Sequence, residues 1–312
     1  MISGLHEIFG FESVEEFTSE ANPGTVTMQW LDNAVACGVN RLSLGVQAVQ
    51  ERLLQILGRI HCFKDAAASV ELAHAAGISN INLDLIFGIP TQMLYEWEQT
   101  IDTVLSLNPT HFSAYGLIPE EGTPLYDDLQ CGKYQLPDPD EERAMYDLVI
   151  RKSVAYGFEQ YEISNFALPG YECRHNIGYW TQTPYIGLGV SAASMTGLHS
   201  DADGMSYQRS VNPETLESYE RMISEGNNAS VSEHISTAEA RFETMMLGLR
   251  MNRGVHETEF CEKHHLDIQS CYGNKLEKLR MNGLIIHDNG YWKLTRRGFD
   301  IQNSVLVELM DD

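Results

Sequence analysis

The segment Asn40-Arg-Leu-Ser-Leu-Gly-Val-Gln47 alternates apolar Leu42, Leu44 and Val46 with Arg41, Ser43 and Gly45, the period of a β-strand. A helical pattern stops just before it at Gly38, and another, Glu51-Arg-Leu-Leu-Gln-Ile-Leu57, starts just after it. The strand closes on a polar residue, Gln47. In parallel α/β architectures the side chains at the C-terminal ends of strands are the ones that face ligands. The same unit recurs on either side. Strands are expected over 17–21, 81–87 and 111–115, with Glu20, Asp84 and Tyr115 as their polar rim residues. Helices are expected over 27–37, 49–57, 64–76 and 94–107, with Thr27 as an N-cap and Gly77 as a C-terminal stop. Strand and helix in alternation predict parallel strands joined by right-handed crossovers. A barrel and an open doubly wound sheet both fit that order. No Gly-x-Gly-x-x-Gly follows a strand, which disfavours a Rossmann dinucleotide site.

A chain of 312 residues with 43% hydrophobic content can bury a sizeable core in one large or two ordinary domains. No apolar run is long enough to span a bilayer, and no secretion signal opens the chain. The six cysteines, Cys37, Cys62, Cys131, Cys173, Cys261 and Cys271, form no closely spaced pair. That argues against a disulfide framework and for a reducing, cytoplasmic setting. The net charge of −23 repels nucleic-acid phosphates and disfavours a generic nucleic-acid role.

The later chain changes character twice. Residues 117–138 read as a loop, 141–155 as a helix, and 161–204 as an irregular stretch rich in Gly, Pro, Tyr, Asn and Ser. Long irregular segments in compact proteins usually carry function. A helix over 213–225 follows. From 236 three helices (237–250, 256–264, 271–281) precede a hairpin that turns at Asp288-Asn-Gly290, and a last helix is expected over 298–309. This is a winged-helix pattern. Its ten Lys/Arg against twelve Asp/Glu lack the basic footprint of a DNA-binding domain, although Lys275, Lys278 and Arg280 share one helix. The expected division is a partial barrel over 1–158, an irregular α+β segment over 159–235 and a winged-helix-like domain over 236–312.

Two constellations carry chemistry. Glu20, Gln47, Arg59 and Asp84 suit a small zwitterionic, nucleoside-like ligand, since carboxylates accept from ribose hydroxyls or an ammonium and a guanidinium pairs with a carboxylate. Helix capping by Glu20 and Asp84 and a surface charge at Arg59 are the plainer alternatives. The second is Cys173-Arg-His175-Asn176-Ile-Gly-Tyr179-Trp180. A His or Cys can ligate haem iron, and flat aromatics can cover a macrocycle. Loop-fixing hydrogen bonds are the alternative for this histidine. Cys62, Cys261 and Cys271 read as buried small hydrophobes, and His264-His265 as a solvated helix end.

The ordered motifs Glu20-Ala-Asn-Pro-Gly-Thr25, Gly38 to Gln47, Leu57-Gly-Arg59-Ile-His61, Asn82-Leu-Asp84-Leu-Ile-Phe-Gly-Ile-Pro90, Tyr161-Glu-Ile-Ser-Asn-Phe-Ala167 and His175-Asn-Ile-Gly-Tyr-Trp180 resemble the HemW family. These are radical S-adenosylmethionine (SAM) haem chaperones related to the oxygen-independent coproporphyrinogen III oxidases. The resemblance implies an incomplete (β/α) barrel with a winged-helix-like C-terminal domain. It implies SAM contacts from Glu20, Gln47, Arg59 and Asp84, and haem handling by His175, Asn176, Tyr179 and Trp180. It also implies transfer of haem to acceptor proteins, with a possible homodimer and at most peripheral membrane contact. The family's Cys-x-x-x-Cys-x-x-Cys loop, which holds a [4Fe–4S] cluster, and the Gly-rich stretch after it do not occur in this sequence. The chain is therefore expected to begin inside the helix before the third barrel strand, without the first two strands. Without the three thiolates no metal site is expected, and reductive cleavage of SAM is not expected from the chain as written. The alternatives are an oxygen-independent coproporphyrinogen III oxidase, against which the His-Asn-x-x-Tyr-Trp motif speaks, and a degenerate paralogue that binds haem without radical chemistry.

Overall fold

The computed structural model describes residues 2–10, 13–201, 204–226 and 231–310, which fall into two compact units, Met1–Arg174 and His175–Asp312. In the first unit, α1 (Ile2–Phe9) is followed by β1 (Thr18–Ala21), α2 (Met28–Ala36), β2 (Arg41–Gln47), α3 (Glu51–Ile56), α4 (Phe63–Ala75), β3 (Asn80–Phe87), α5 (Leu94–Leu105) and β4 (His111–Gly116). Then come α6 (Pro124–Gln130), α7 (Pro139–Ala155), β5 (Glu159–Gln160) and β6 (Asn165–Ala167). The sheet runs β1-β2-β3-β4-β6-β5, the first four strands parallel and β6 antiparallel to β4. This order resolves the choice left open by the alternation. A doubly wound sheet reverses direction at a switch point, whereas here every crossover steps the same way. Right-handed connections then put the helices on one face and leave the other as the inner wall of a barrel.

The strand alternation decides what each face carries. Leu42, Leu44, Val46, Ile81, Leu83, Leu85, Phe112 and Phe166 point to the helices and form one core with Leu31, Trp97, Ile101, Val104 and Val149. Each such side chain, taken wholly out of water, stabilises the fold by about 1.5–3 kcal/mol. Local features fix the helix starts. Thr27 accepts from the Trp30 backbone N–H at 3.2 Å, the expected N-cap. Asp65 accepts from the Cys62 N–H at 2.8 Å.

The second unit takes in α8 (Arg174–Trp180) from His175 onward. It continues with β7 (Ala193–Asp201), β8 (Gly204–Val211), α9 (Leu216–Glu225), β9 (Val231–Ile235), α10 (Thr237–Gly248) and β10 (Val255–His256). It ends with α11 (Glu257–His264), α12 (Ile268–Met281), β11 (Ile285–Asp288), β12 (Tyr291–Leu294), α13 (Arg296–Asp300) and α14 (Gln302–Leu309). Two antiparallel sheets result, β7-β8-β9 and β10-β12-β11. The expected hairpin turns at Asn289-Gly290, both with positive φ (49° and 79°), as a two-residue turn between strands requires. Met245, Leu249, Phe260, Ile268, Leu276, Trp292 and Leu309 form the core of the winged-helix part.

Four expectations are corrected. Residues 117–138 contain the helix α6, begun by Thr123 as N-cap and Pro124 in the first turn. The last helix is two, α13 and α14, broken at Ile301 where φ and ψ leave the helical region. Cys261 is exposed rather than buried. His264 is fully buried rather than solvated, its Nε2 2.8 Å from the Thr244 hydroxyl. No helix among the described residues is long and apolar enough to cross a membrane.

Candidate functional site

On the inner face of the first unit the register assembles polar side chains in rows. Glu20 lies beside Ser43, Ser43 beside Asn82, and Asn82 beside His111; one row higher, Gly45 lies beside Asp84, Asp84 beside Ser113, and Ser113 beside Asn165. Asp84 is half-buried and already oriented. Its Oδ2 accepts from the Ser43 hydroxyl at 3.0 Å and its Oδ1 from Asn82 Nδ2 at 2.9 Å. It caps no helix. Asn82 Nδ2 also donates to Ser43 Oγ at 2.8 Å, so Asn82 Oδ1 faces His111 Nδ1 at 2.6 Å and must accept from it. His111 Nε2 is thereby left bare, and the Tyr161 hydroxyl donates to it at 2.9 Å. Burial, with the Arg41 charge adding to it, holds the His111 pKa well below the usual histidine value, so the ring is neutral. Ser113, Asn165 and Glu162 extend the network: the Ser113 hydroxyl is 2.7 Å from Asn165 Oδ1, and Asn165 Nδ2 donates to Glu162 at 2.5 Å.

The rim stands at the strand ends. Glu20 is exposed near the end of β1. Gln47 is buried and has a φ of 67°, inside a tight turn closed by the Ala48 N–H donating to Val46 O at 2.9 Å. A three-residue turn of this hand is rare and strained. The Gln47 side chain folds back over Gly45, where a Cβ would lie 2.8 Å from its Nε2. Arg59 is exposed in the loop after α3, which His61 anchors to the end of β2 with its Nε2 3.4 Å from Val46 O. In the loop between β3 and α5, Thr91 also has positive φ (67°). Arg52 holds it, donating to Thr91 Oγ1 at 2.5 Å and Thr91 O at 3.1 Å while pairing with Glu96 at 2.5 Å. Gln47 and Thr91 are thus two non-glycine residues in left-handed backbone, one closing β2 and the other in the loop between β3 and α5. Tyr115 is exposed at the end of β4. Sequence reading singled out Glu20, Gln47, Asp84 and Tyr115 as the rim, and Arg59 as a ligand contact, but not Ser43, Asn82 and His111. Their period-two spacing within the strands was the available sign. Nothing in the sequence marked Arg52 or Thr91.

In the second unit, the α8 motif sorts onto two faces by its i, i+4 spacing. His175 and Tyr179 are exposed and meet edge to face, ring centres 4.6 Å apart, and Tyr179 meets Tyr185 in the same way at 4.9 Å. Burial, then Tyr185, raises the Tyr179 phenol above its usual pKa. Asn176 and Trp180 lie one residue on from them. Trp180 turns inward, and the Arg250 guanidinium sits 4.6 Å from its ring centre. Beside it a small cleft is lined by Trp180, Thr244, Met251, Phe260 and Lys263. The basic residues of α12 have partners within the unit: Lys278 with Glu308 at 2.7 Å, Arg280 with Glu277 at 2.6 Å, and Lys275 with Met310 O at 2.6 Å. Among the described residues no three His, Cys, Asp or Glu side chains are grouped to hold a metal ion. The donor set present does not fit an iron–sulfur cluster.

Inner polar wall, outer helices and a winged-helix tail define a class. Residues 3–104 match the radical SAM superfamily and residues 235–301 the HemN C-terminal domain. The fold is that of coproporphyrinogen III oxidase (HemN) from Escherichia coli, a radical SAM enzyme, with a TM-score of 0.79 at 22% identity, covering 99% of this chain and 72% of that one. Closer in sequence is the heme chaperone HemW of Bacillus subtilis, 38% identical over 94% of this chain and 75% of its own length. Those of Lactococcus lactis (100% and 80% covered) and Escherichia coli (98% and 78%) are each 31% identical. The chain belongs to the HemW family.

Proposed function

We propose that this protein is a haem chaperone that binds haem at the α8 motif and SAM at the strand-end rim, and passes haem to acceptor proteins in a reducing cytoplasm. The observation that carries the reading is the exposed pair His175 and Tyr179, meeting edge to face and backed by the half-buried Tyr185, which offers an axial ligand and a ring edge to a flat porphyrin. In this reading His175 is the axial ligand, Tyr179 packs on the macrocycle, and Asn176 and Trp180 hold α8 against its own unit. At the rim, Asp84, already fixed by Ser43 and Asn82, accepts from ribose hydroxyls, with Gln47 beside them. Arg59 pairs with the carboxylate of the methionine part, and Glu20 accepts from its ammonium. SAM, when bound, supplies a sulfonium and an adenosyl group. The His, Cys, Asp and Glu side chains among the described residues are not grouped to hold an iron–sulfur cluster. Functionally, the barrel part (1–158), the irregular segment with the motif (159–235) and the winged-helix-like part (236–312) divide the work into SAM site, haem site and packing domain.

The relation to HemN raises oxidase activity as the second reading. Incubation with coproporphyrinogen III and SAM under reducing conditions separates the two. The chaperone reading expects no protoporphyrinogen, together with transfer of haem from the loaded chain to an apo-haemoprotein. Clean decarboxylation of the propionates would replace it with the oxidase reading.

A further inference from the structure

The cleft beside Trp180 encloses about 320 Å³, its open mouth included, and its lining is of two kinds. Met251, Val255 and Phe260 are buried and apolar. Trp180, Arg253 and Lys263 bring N–H groups. Trp180 Nε1 is shut off from water and meets no acceptor among the described residues, and the same holds for Arg250 Nε, whose guanidinium stacks on the Trp180 ring. A buried donor left without an acceptor is costly, and it marks a place where an acceptor belongs. Lys263 donates to Thr181 O at 2.7 Å, just past the end of α8. That contact uses one of the three N–H groups of an ammonium. Burial pushes the Lys263 pKa down, and a charge that water solvates poorly gains most from an anion beside it. Arg253 adds a second cation, paired only loosely with Glu259 at 3.7 Å. A chain with a net charge of −23 therefore lines this cleft with two cations and a single carboxylate. Fixing the end of α8 accounts for one Lys263 contact and leaves the indole N–H and the rest of the ammonium unexplained.

We infer that this cleft binds a carboxylate carried on a short apolar stem, its oxygens accepting from the Trp180 indole and the Lys263 ammonium while the stem packs on Met251, Val255 and Phe260. The ligand is an anion because cations outnumber acids in the lining. It is a carboxylate because a phosphate, with three terminal oxygens and up to two charges, calls for more donors than an indole and an ammonium supply. The apolar residues ask for carbon next to the charge. Neither the haem site nor the SAM site is needed for this binding. Two sources carry the same chemistry, a free carboxylic acid and the propionate of a porphyrin.

The experiment titrates the full chain calorimetrically with 3-phenylpropionate, and with its uncharged amide as the control. The variants are Lys263→Met, Lys263→Arg and Trp180→Phe. Trp180→Phe keeps a ring under Arg250 and removes the N–H, and Lys263→Arg keeps the charge, so at least these two retain the fold, which far-UV circular dichroism checks. The wild type is expected to bind the acid saturably and the amide about tenfold more weakly, the loss of a charge-assisted contact. Lys263→Met and Trp180→Phe are each expected to weaken the acid by about tenfold, and Lys263→Arg by less. Equal affinity for acid and amide overturns the inference, as does the absence of saturable binding by the wild type. Wild-type affinity for the acid in folded Trp180→Phe and Lys263→Met overturns it too, since water alone then serves these donors. Haemin and haemin dimethyl ester tell the two sources apart. If Lys263→Met weakens haemin and spares the diester, the carboxylate is a porphyrin propionate; any other pattern, with the phenylpropionate result in place, makes it a free acid.

Discussion

Asp84 is held by two donors, Ser43 and Asn82, and Asn82 is in turn set by His111 and Tyr161. The proposed ribose contact therefore depends on residues that never touch the ligand. Asp84→Asn keeps the shape but turns an acceptor into a partial donor, and is expected to weaken SAM binding by about tenfold or more in calorimetric titration, a loss of the order of one charge-assisted hydrogen bond. Unchanged affinity would remove Asp84 from the site. The buried histidines give a second test. His111 is held well below the usual value and His264 is pushed down to about 4, in both cases chiefly by burial, with Lys263 and Arg241 adding to the latter. The unfolded chain takes up these protons near pH 6.5 and the folded chain does not. Stability is thus fully present above about pH 6.5 and is lost as pH falls from there toward about 4. His264→Gln is expected to flatten that dependence in thermal melts between those limits. An unchanged slope would show that His264 carries no part of it. Of this scale the sequence displayed Glu20, Gln47 and Asp84, because polar residues on otherwise apolar strands stand out, and Arg59, a lone cation in the loop after α3. It concealed His111 and Asn82, whose roles follow only from a register that places three strands side by side.

At the scale of elements, the four parallel strands of the first unit and the helices between them were legible because each keeps one period for its whole length, whereas α6 was read as loop. Leu42, Leu44 and Val46 on β2 and Ile81, Leu83 and Leu85 on β3 are the plainest cases. The helix α8 was not legible. Arg-His-Asn-Ile-Gly-Tyr-Trp has no apolar stripe, carries Gly178 inside, and partly covers Trp180 by stacking against Arg250 rather than by hydrophobic periodicity. Arg250→Ala should remove that contact and the packing of the arginine stem, destabilising the second unit by about 1–2 kcal/mol in denaturant melts. No loss would mean that the stack is incidental. Gly254 tests the winged-helix part. It has a φ of 74°, and a Cβ would lie 2.1 Å from Trp292 O, where β10 meets β12. Gly254→Ala is expected to cost about 2–4 kcal/mol through backbone strain and overpacking, read as a lower denaturation midpoint. A midpoint equal to that of the wild type would contradict the close approach.

For the whole molecule, the family likeness spans nearly the entire chain, and the two units carry different parts of the proposed task. The sheet order, β1 to β4 stepping one way, is what turned an ambiguous α/β alternation into a barrel wall with a polar interior. That order lies beyond local sequence, because both candidate folds use the same local elements. The proposal that haem is held at α8 is tested most directly by titrating the full chain with haemin beside its His175→Ala and Tyr179→Ala variants. The expected result is a saturable, one-to-one Soret shift in the wild type, a displaced and weaker band in His175→Ala, and a weaker but unshifted band in Tyr179→Ala. Identical spectra and affinities for all three proteins would contradict it.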